Sequence, residues 1–90
     1  MEACAHIIVS GMVQGVGFRY YVYHKANGLG INGFVNNLFN GDVEIEVTGE
    51  RSLIEEFIKD VKVGPRAARV TDLKINWKES NQHYYNFEIW

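Results

Sequence analysis

The spacing of apolar residues changes period several times along the chain. Ile7, Ile8 and Val9 form a short apolar run, and a strand is expected over residues 6–12. From Phe18 the period becomes helical: Phe18, Val22, Ala26 and Leu29 share one face, and Gly30 stands where a left-handed residue would close the helix. A second strand is expected over residues 31–37, followed by the Asn40-Gly41 hairpin signal. Val43, Ile45 and Val47 then alternate with Asp42, Glu44 and Glu46, which describes a half-buried strand with one wet face. After Gly49 the helical period returns in Leu53, Ile54, Phe57, Ile58 and Val61. Ser52 and Glu55 have the spacing of a capping box, with an earlier helix start as the alternative, and Gly64-Pro65 provides a stop. Leu73, Ile75 and Trp77 alternate as a fourth strand. Residues 79–83 read as a polar turn, and Tyr85, Phe87 and Ile89 alternate as a last strand.

Strand, helix, strand, strand, helix, strand with one strand added predicts an α+β fold. It is a two-layer sandwich of the ferredoxin-like type, with a mostly antiparallel sheet of four to five strands and two helices on one face. Ninety residues suit one domain, residues 1–90, with no linker or repeat. A chain of this size buries roughly two thirds of its unfolded surface, enough for a core without staples. The net charge of −2 counts against a nucleic-acid binder, which usually presents a basic face. Cys4 is the single cysteine and cannot form an internal disulfide, which fits a reducing compartment. No apolar run approaches the length of a membrane span, and the N-terminal residues lack the basic start of a secretory signal. A cytoplasmic, monomeric domain is expected.

The chemistry concentrates between Val9 and Arg19. Gly11, Gly15 and Gly17 fall between an expected strand and an expected helix. Glycines let backbone N–H groups turn inward as a concave nest, and the first N–H groups of a helix carry partial positive charge. Arg19 lies in the first helical turn, where a cation opposes the dipole; an anionic ligand shared by both would relieve that conflict. A tight strand-to-helix connection alone would also account for three glycines. No metal site is expected, because His6, His24, His83 and Cys4 are scattered.

The same stretch resembles the first signature of the acylphosphatases, aliphatic-x-Gly-x-Val-Gln-Gly-Val-x-Phe-Arg. The matches are Val9, Gly11, Val13, Gln14, Gly15, Val16, Phe18 and Arg19. The family's second signature is matched by Gly33, Phe34, Val35, Asn37, Gly41, Val43 and Gly49. Two positions depart from the pattern. Met12 stands where many members carry arginine, which removes a positive charge near the phosphate. Asn36 replaces a residue that is usually basic, Gln, Ala or Met, and so creates a tandem with Asn37.

The resemblance implies hydrolysis of an acyl phosphate to a carboxylate and inorganic phosphate, without cofactor or metal. It assigns Arg19 as the phosphate clamp, the backbone of Gln14, Gly15, Val16, Gly17 and Phe18 as the cradle, and Asn37 as the residue that holds the attacking water. The family spacing to Gly41 selects Asn37 over Asn36. A non-catalytic anion-binding or regulatory module is the alternative; it would have no need of a water-orienting amide. A single-stranded RNA binder on this topology would carry aromatic and basic residues on its central strands, whereas the third strand here is acidic. His6, Tyr20, Tyr21, Tyr23 and Trp77 read as packing or surface residues. Glu44 and Glu46 read as a solvated strand face, and Cys4 has no flanking basic cluster to activate it.

Overall fold

A computed structural model describes residues 1–79 and 83–90. Its elements are β1 (Glu2–Met12), α1 (Phe18–Leu29), β2 (Asn32–Asn37), β3 (Val43–Glu50), α2 (Arg51–Val63), β4 (Arg69–Lys78) and β5 (Phe87–Ile89). They form one sheet in the order β4-β1-β3-β2-β5. Every neighbouring pair is antiparallel except β2 with β5, which is parallel. Both helices pack on the same face of the sheet, as the alternation predicts, and among the described residues no helix is long and apolar enough to cross a membrane.

The register explains how the two faces differ. Across β1, β3 and β2, one row joins Ile7, Ile45 and Val35, and the next joins Val9, Val43 and Asn37. These rows face the helices, and Ile7, Val9, Val35, Val43 and Ile45 are all fully buried. The helices contribute Phe18, Val22 and Ala26 from α1 and Ile54, Phe57, Ile58 and Val61 from α2. Burying a large apolar side chain in this way is worth about 1.5–3 kcal/mol each relative to exposure. The Tyr21 hydroxyl also donates to the Asp60 carbonyl at 2.7 Å and ties the helices together.

The other face is free of helices but not uniformly wet. Glu46, expected to be solvated, is 5% exposed. Lys78 Nζ lies 2.6 Å from its Oε1, and the Tyr84 hydroxyl donates to its Oε2 at 2.6 Å. Burial alone would raise the Glu46 pKa. The hydrogen bonds from Lys78 and Tyr84, with the positive charge of Lys78 and a contribution from His6, outweigh it and hold the carboxyl below its usual range. Beside it, His6 Nε2 sits 2.9 Å from Glu44 Oε2. A strand face that reads as charged has therefore become a partnered polar layer.

Several boundaries move from the sequence reading. β1 begins at Glu2 rather than residue 6, because β3 pairs with it back to Glu50. α2 begins at Arg51 with extended Glu50 as its N-cap, and no side chain caps it. The Ser52–Glu55 capping box is therefore absent; Arg51 Nε donates to Glu55 Oε2 at 3.3 Å, and the Arg51 N–H donates to the Met1 carbonyl. Leu53 is 36% exposed and falls outside the buried stripe of α2. β5 is limited to Phe87–Ile89, with Tyr85 outside it and exposed. The polar turn expected at 79–83 lies largely outside the described residues. α1 keeps its expected limits, and Gly30, at φ 70°, is its left-handed C-cap.

Two glycines separate close approach from helix propensity. A Cβ at Gly33, where φ is 146°, would stand 1.8 Å from the Glu46 carbonyl oxygen, whereas a Cβ at Gly28 inside α1 would meet nothing. Gly33→Ala is expected to lower the unfolding free energy by at least about 2 kcal/mol. Gly28→Ala is expected to raise it by about 0.5–1 kcal/mol, because glycine is a poor helix former. Urea unfolding of both variants beside the wild type checks the pair.

Candidate active site

β1 delivers the chain to the edge of the helical layer, and the link to α1 is made by residues 13–17. Val13 is buried and anchors the start of the link; Phe18, fully buried, anchors its end as the first residue of α1. The chain between them turns through Gly15 at φ 74° and Gly17 at φ 77°, both left-handed. A Cβ at either glycine would meet no atom within 4 Å, so the backbone conformation and not crowding calls for glycine here. Gly17 is the N-cap of α1 and has no side chain to satisfy the first N–H groups of the helix. They remain as donors at its positive end.

A concavity of about 100 Å³ lies over this link. Val13 and Phe18 contribute to its wall, with Gly15, Gly17, Arg19, Tyr20 and Asn37. It is smaller than the roughly 300 Å³ of a drug-sized site. It suits a small anion with water beside it. Arg19 is the cation that lines it. Its Nη1 donates to the main-chain oxygen of Trp90 at 2.8 Å, which steadies the guanidinium at the mouth of the concavity. Nothing near Arg19 in the sequence signals this contact, because the two residues are 71 apart. Tyr20, expected only to pack or cover surface, is also part of the lining.

The tandem asparagines separate as strand geometry requires. Asn37 pairs with Val43 on the helix-covered face and looks into the concavity. Its side-chain oxygen is buried and, among the described residues, has no hydrogen-bond partner. Leaving such a buried acceptor unpaired costs about 1–3 kcal/mol, which a donor entering the concavity would recover. Asn36 pairs with Glu44 on the opposite face, and its amide donates to Glu44 Oε1 at 3.4 Å.

Gln14 contributes differently from the glycines. Its side-chain Nε2 donates to the Leu38 carbonyl at 2.7 Å and to the Asp42 carbonyl at 2.8 Å. These carbonyls flank the β2–β3 turn, where the Leu38 N–H also donates to the Asp42 oxygen. The Gln14 amide thus fastens the link to the strand end that carries Asn37. Val16 is half-buried and packs against the core, so its side chain faces away from any ligand while its backbone stays in the turn. A larger hollow of about 830 Å³ lies at the other end of the strands, beside Cys4, Lys78 and Tyr84. Its lysine is already paired with Glu46, and among the described residues that line it there is no left-handed glycine turn at a helix start, so the smaller concavity is the better candidate site. Among the described residues, no three His, Cys, Asp or Glu side chains come together as a metal site.

Comparison with known proteins agrees with the geometry. An acylphosphatase from Caldanaerobacter subterraneus subsp. tengcongensis is 42% identical over 90 residues, covering all of both chains. One from Vibrio vulnificus is 46% identical over 86 residues, 96% of this chain and 94% of that one. The crystal structure of acylphosphatase from Bacillus subtilis superposes with a TM-score of 0.94 at 37% identity, covering 99% of this chain and 98% of that one. An acylphosphatase structure from Coxiella burnetii gives a TM-score of 0.92 at 39% identity over 98% of this chain and 92% of that one. The family model for acylphosphatase matches residues 5–89, which takes in the glycine turn, both asparagines and every helix, and the chain belongs to the acylphosphatase family.

Proposed function

We propose that the glycine turn, Arg19 and Asn37 form the active site at which this acylphosphatase hydrolyses an acyl phosphate. The observation that carries this reading is the buried, unpaired side-chain oxygen of Asn37, which shares one concavity with Arg19 and the helix start. The chemistry asked of the protein is modest. The leaving group is a carboxylate whose conjugate acid has a pKa of about 4–5, by analogy with Glu, so it departs without a proton from an acid. Phosphoryl transfer then depends chiefly on positioning and on stabilising charge at the equatorial oxygens.

The backbone N–H groups from Gln14 to Phe18 supply donors for those oxygens, and the Arg19 guanidinium supplies its planar fork. Water donates a hydrogen bond to the Asn37 oxygen and attacks phosphorus. The P–O bond to the acyl oxygen breaks, and a phosphate oxygen takes the proton the water loses. One acyl phosphate dianion and one water thus yield a carboxylate and dihydrogen phosphate. Met12, 61% exposed at the end of β1, leaves Arg19 without a second arginine at that position. A monomer working in the cytoplasm belongs to the same reading, because a single cysteine leaves no internal disulfide and so fits a reducing compartment.

Two experiments follow. Asn37→Ala is expected to lower kcat by about 10²–10³ with little change in KM, because the clamp and cradle remain. Asn36→Ala, altered on the opposite face, is expected to stay within about threefold of wild type. Hydrolysis of an aryl acyl phosphate, with thermal melts as the folding control, checks both. The reverse pattern would place the site on the wrong face of β2. Gln14→Leu is expected to cost about 1–2 kcal/mol of stability and to lower kcat by about tenfold, as the cradle and the water-holding amide lose their tie. Urea unfolding and steady-state kinetics well below the melting temperature separate the two effects.

A further inference from the structure

The contact that steadies Arg19 depends on where the Trp90 main chain is held. Trp90 follows β5, and its N–H donates to the Val35 carbonyl at 2.8 Å. One such bond leaves the main-chain oxygen free to swing about it. The side chain removes that freedom. The indole lies flat on the Phe34 ring, with centroids 3.8 Å apart and planes within 1°, and its Nε1 donates to Glu88 Oε1 at 2.9 Å. Phe34 is itself fixed. It is 6% exposed on the helix-free face, and the Tyr84 ring meets it edge-on at 6.0 Å. The Tyr84 hydroxyl in turn donates to buried Glu46 at 2.6 Å.

We propose that Phe34 is a positioning residue for the active site: its stack with Trp90 aims the Trp90 main-chain oxygen at Arg19 and so sets where the guanidinium meets phosphate. Stacked aromatic pairs have a preferred geometry and strength beyond their buried area, which suits them to fixing a direction as well as covering a surface. The proposal rests on Arg19 being the phosphate clamp, because it concerns how that clamp is held. It links the two faces of the sheet. A ring on the face without helices controls a cation on the face that carries them, through Trp90 at the end of β5.

The test compares Trp90→Leu, Phe34→Leu and Phe34→Tyr with wild type, and repeats Trp90→Leu in an Arg19→Ala background. Trp90 is 54% exposed, so its replacement leaves the core intact and retains the main-chain oxygen. Affinity for inorganic phosphate is measured by calorimetry, and rotation of the Arg19 guanidinium by nitrogen-15 relaxation. Both leucine variants are expected to bind phosphate about three- to tenfold more weakly, with faster guanidinium rotation, while Phe34→Tyr keeps the flat ring and wild-type behaviour. In the Arg19→Ala background, Trp90→Leu is expected to add no further loss. Unchanged rotation and affinity in both leucine variants would overturn the proposal, as would the same loss from Trp90→Leu with and without Arg19. Equal phosphate affinity in wild type and Arg19→Ala would instead overturn the clamp, while the rotation measurement would still report on the stack.

Discussion

Two positive centres converge on one small space: the first N–H groups of α1, uncapped by any side chain, and the guanidinium of Arg19. Placing a cation at the positive end of a helix is unfavourable by itself, by a few tenths of a kcal/mol to about 1 kcal/mol. A bound anion reverses the sign, because both centres then act on it together. Much of the surrounding structure serves this arrangement. Two left-handed glycines shape the turn, buried Val13 and Phe18 pin its ends, and the Trp90 main-chain oxygen engages the arginine.

The proposed chemistry also requires an amide beside the anion, and sheet register supplies one. β1 runs into the glycine turn, β3 lies next to β1, and β2 lies next to β3, so the row Val9–Val43–Asn37 brings an asparagine to the same end of the sheet. A shift of one residue in β2 would put Asn36 there and turn Asn37 to the opposite face. Gly33 helps fix that register, because β2 can approach the Glu46 carbonyl closely only without a Cβ. Gln14 then joins the turn to the hairpin across a gap that strand pairing does not span.

Local patterns revealed much of this. The helical period set the ends of α1 and strand alternation set the buried face of β3; the family spacing before Gly41 selects Asn37, which the register places on the helix-covered face. What stayed hidden depends on contacts between distant segments. Glu46 alternates with valines and isoleucines as a solvated residue would, yet Tyr84 and Lys78 close over it from 38 and 32 residues away. The Arg19–Trp90 contact and the Phe34–Trp90 stack need β5 to lie parallel to β2, and no local period encodes that pairing. The Ser52–Glu55 box matched a real motif but lost to an earlier helix start, where Arg51 bonds the Met1 carbonyl and takes up Glu55.

The central claim is that the concavity holds the phosphoryl group while a water held by Asn37 attacks phosphorus. Single-turnover hydrolysis of an acyl phosphate in water enriched in oxygen-18 tests it most directly, with the label located by mass spectrometry of both products. The account predicts that the new oxygen appears in inorganic phosphate and that the carboxylate stays unlabelled. Label in the carboxylate would mean that water attacks the acyl carbon, and the roles assigned to the glycine turn, Arg19 and Asn37 would be wrong.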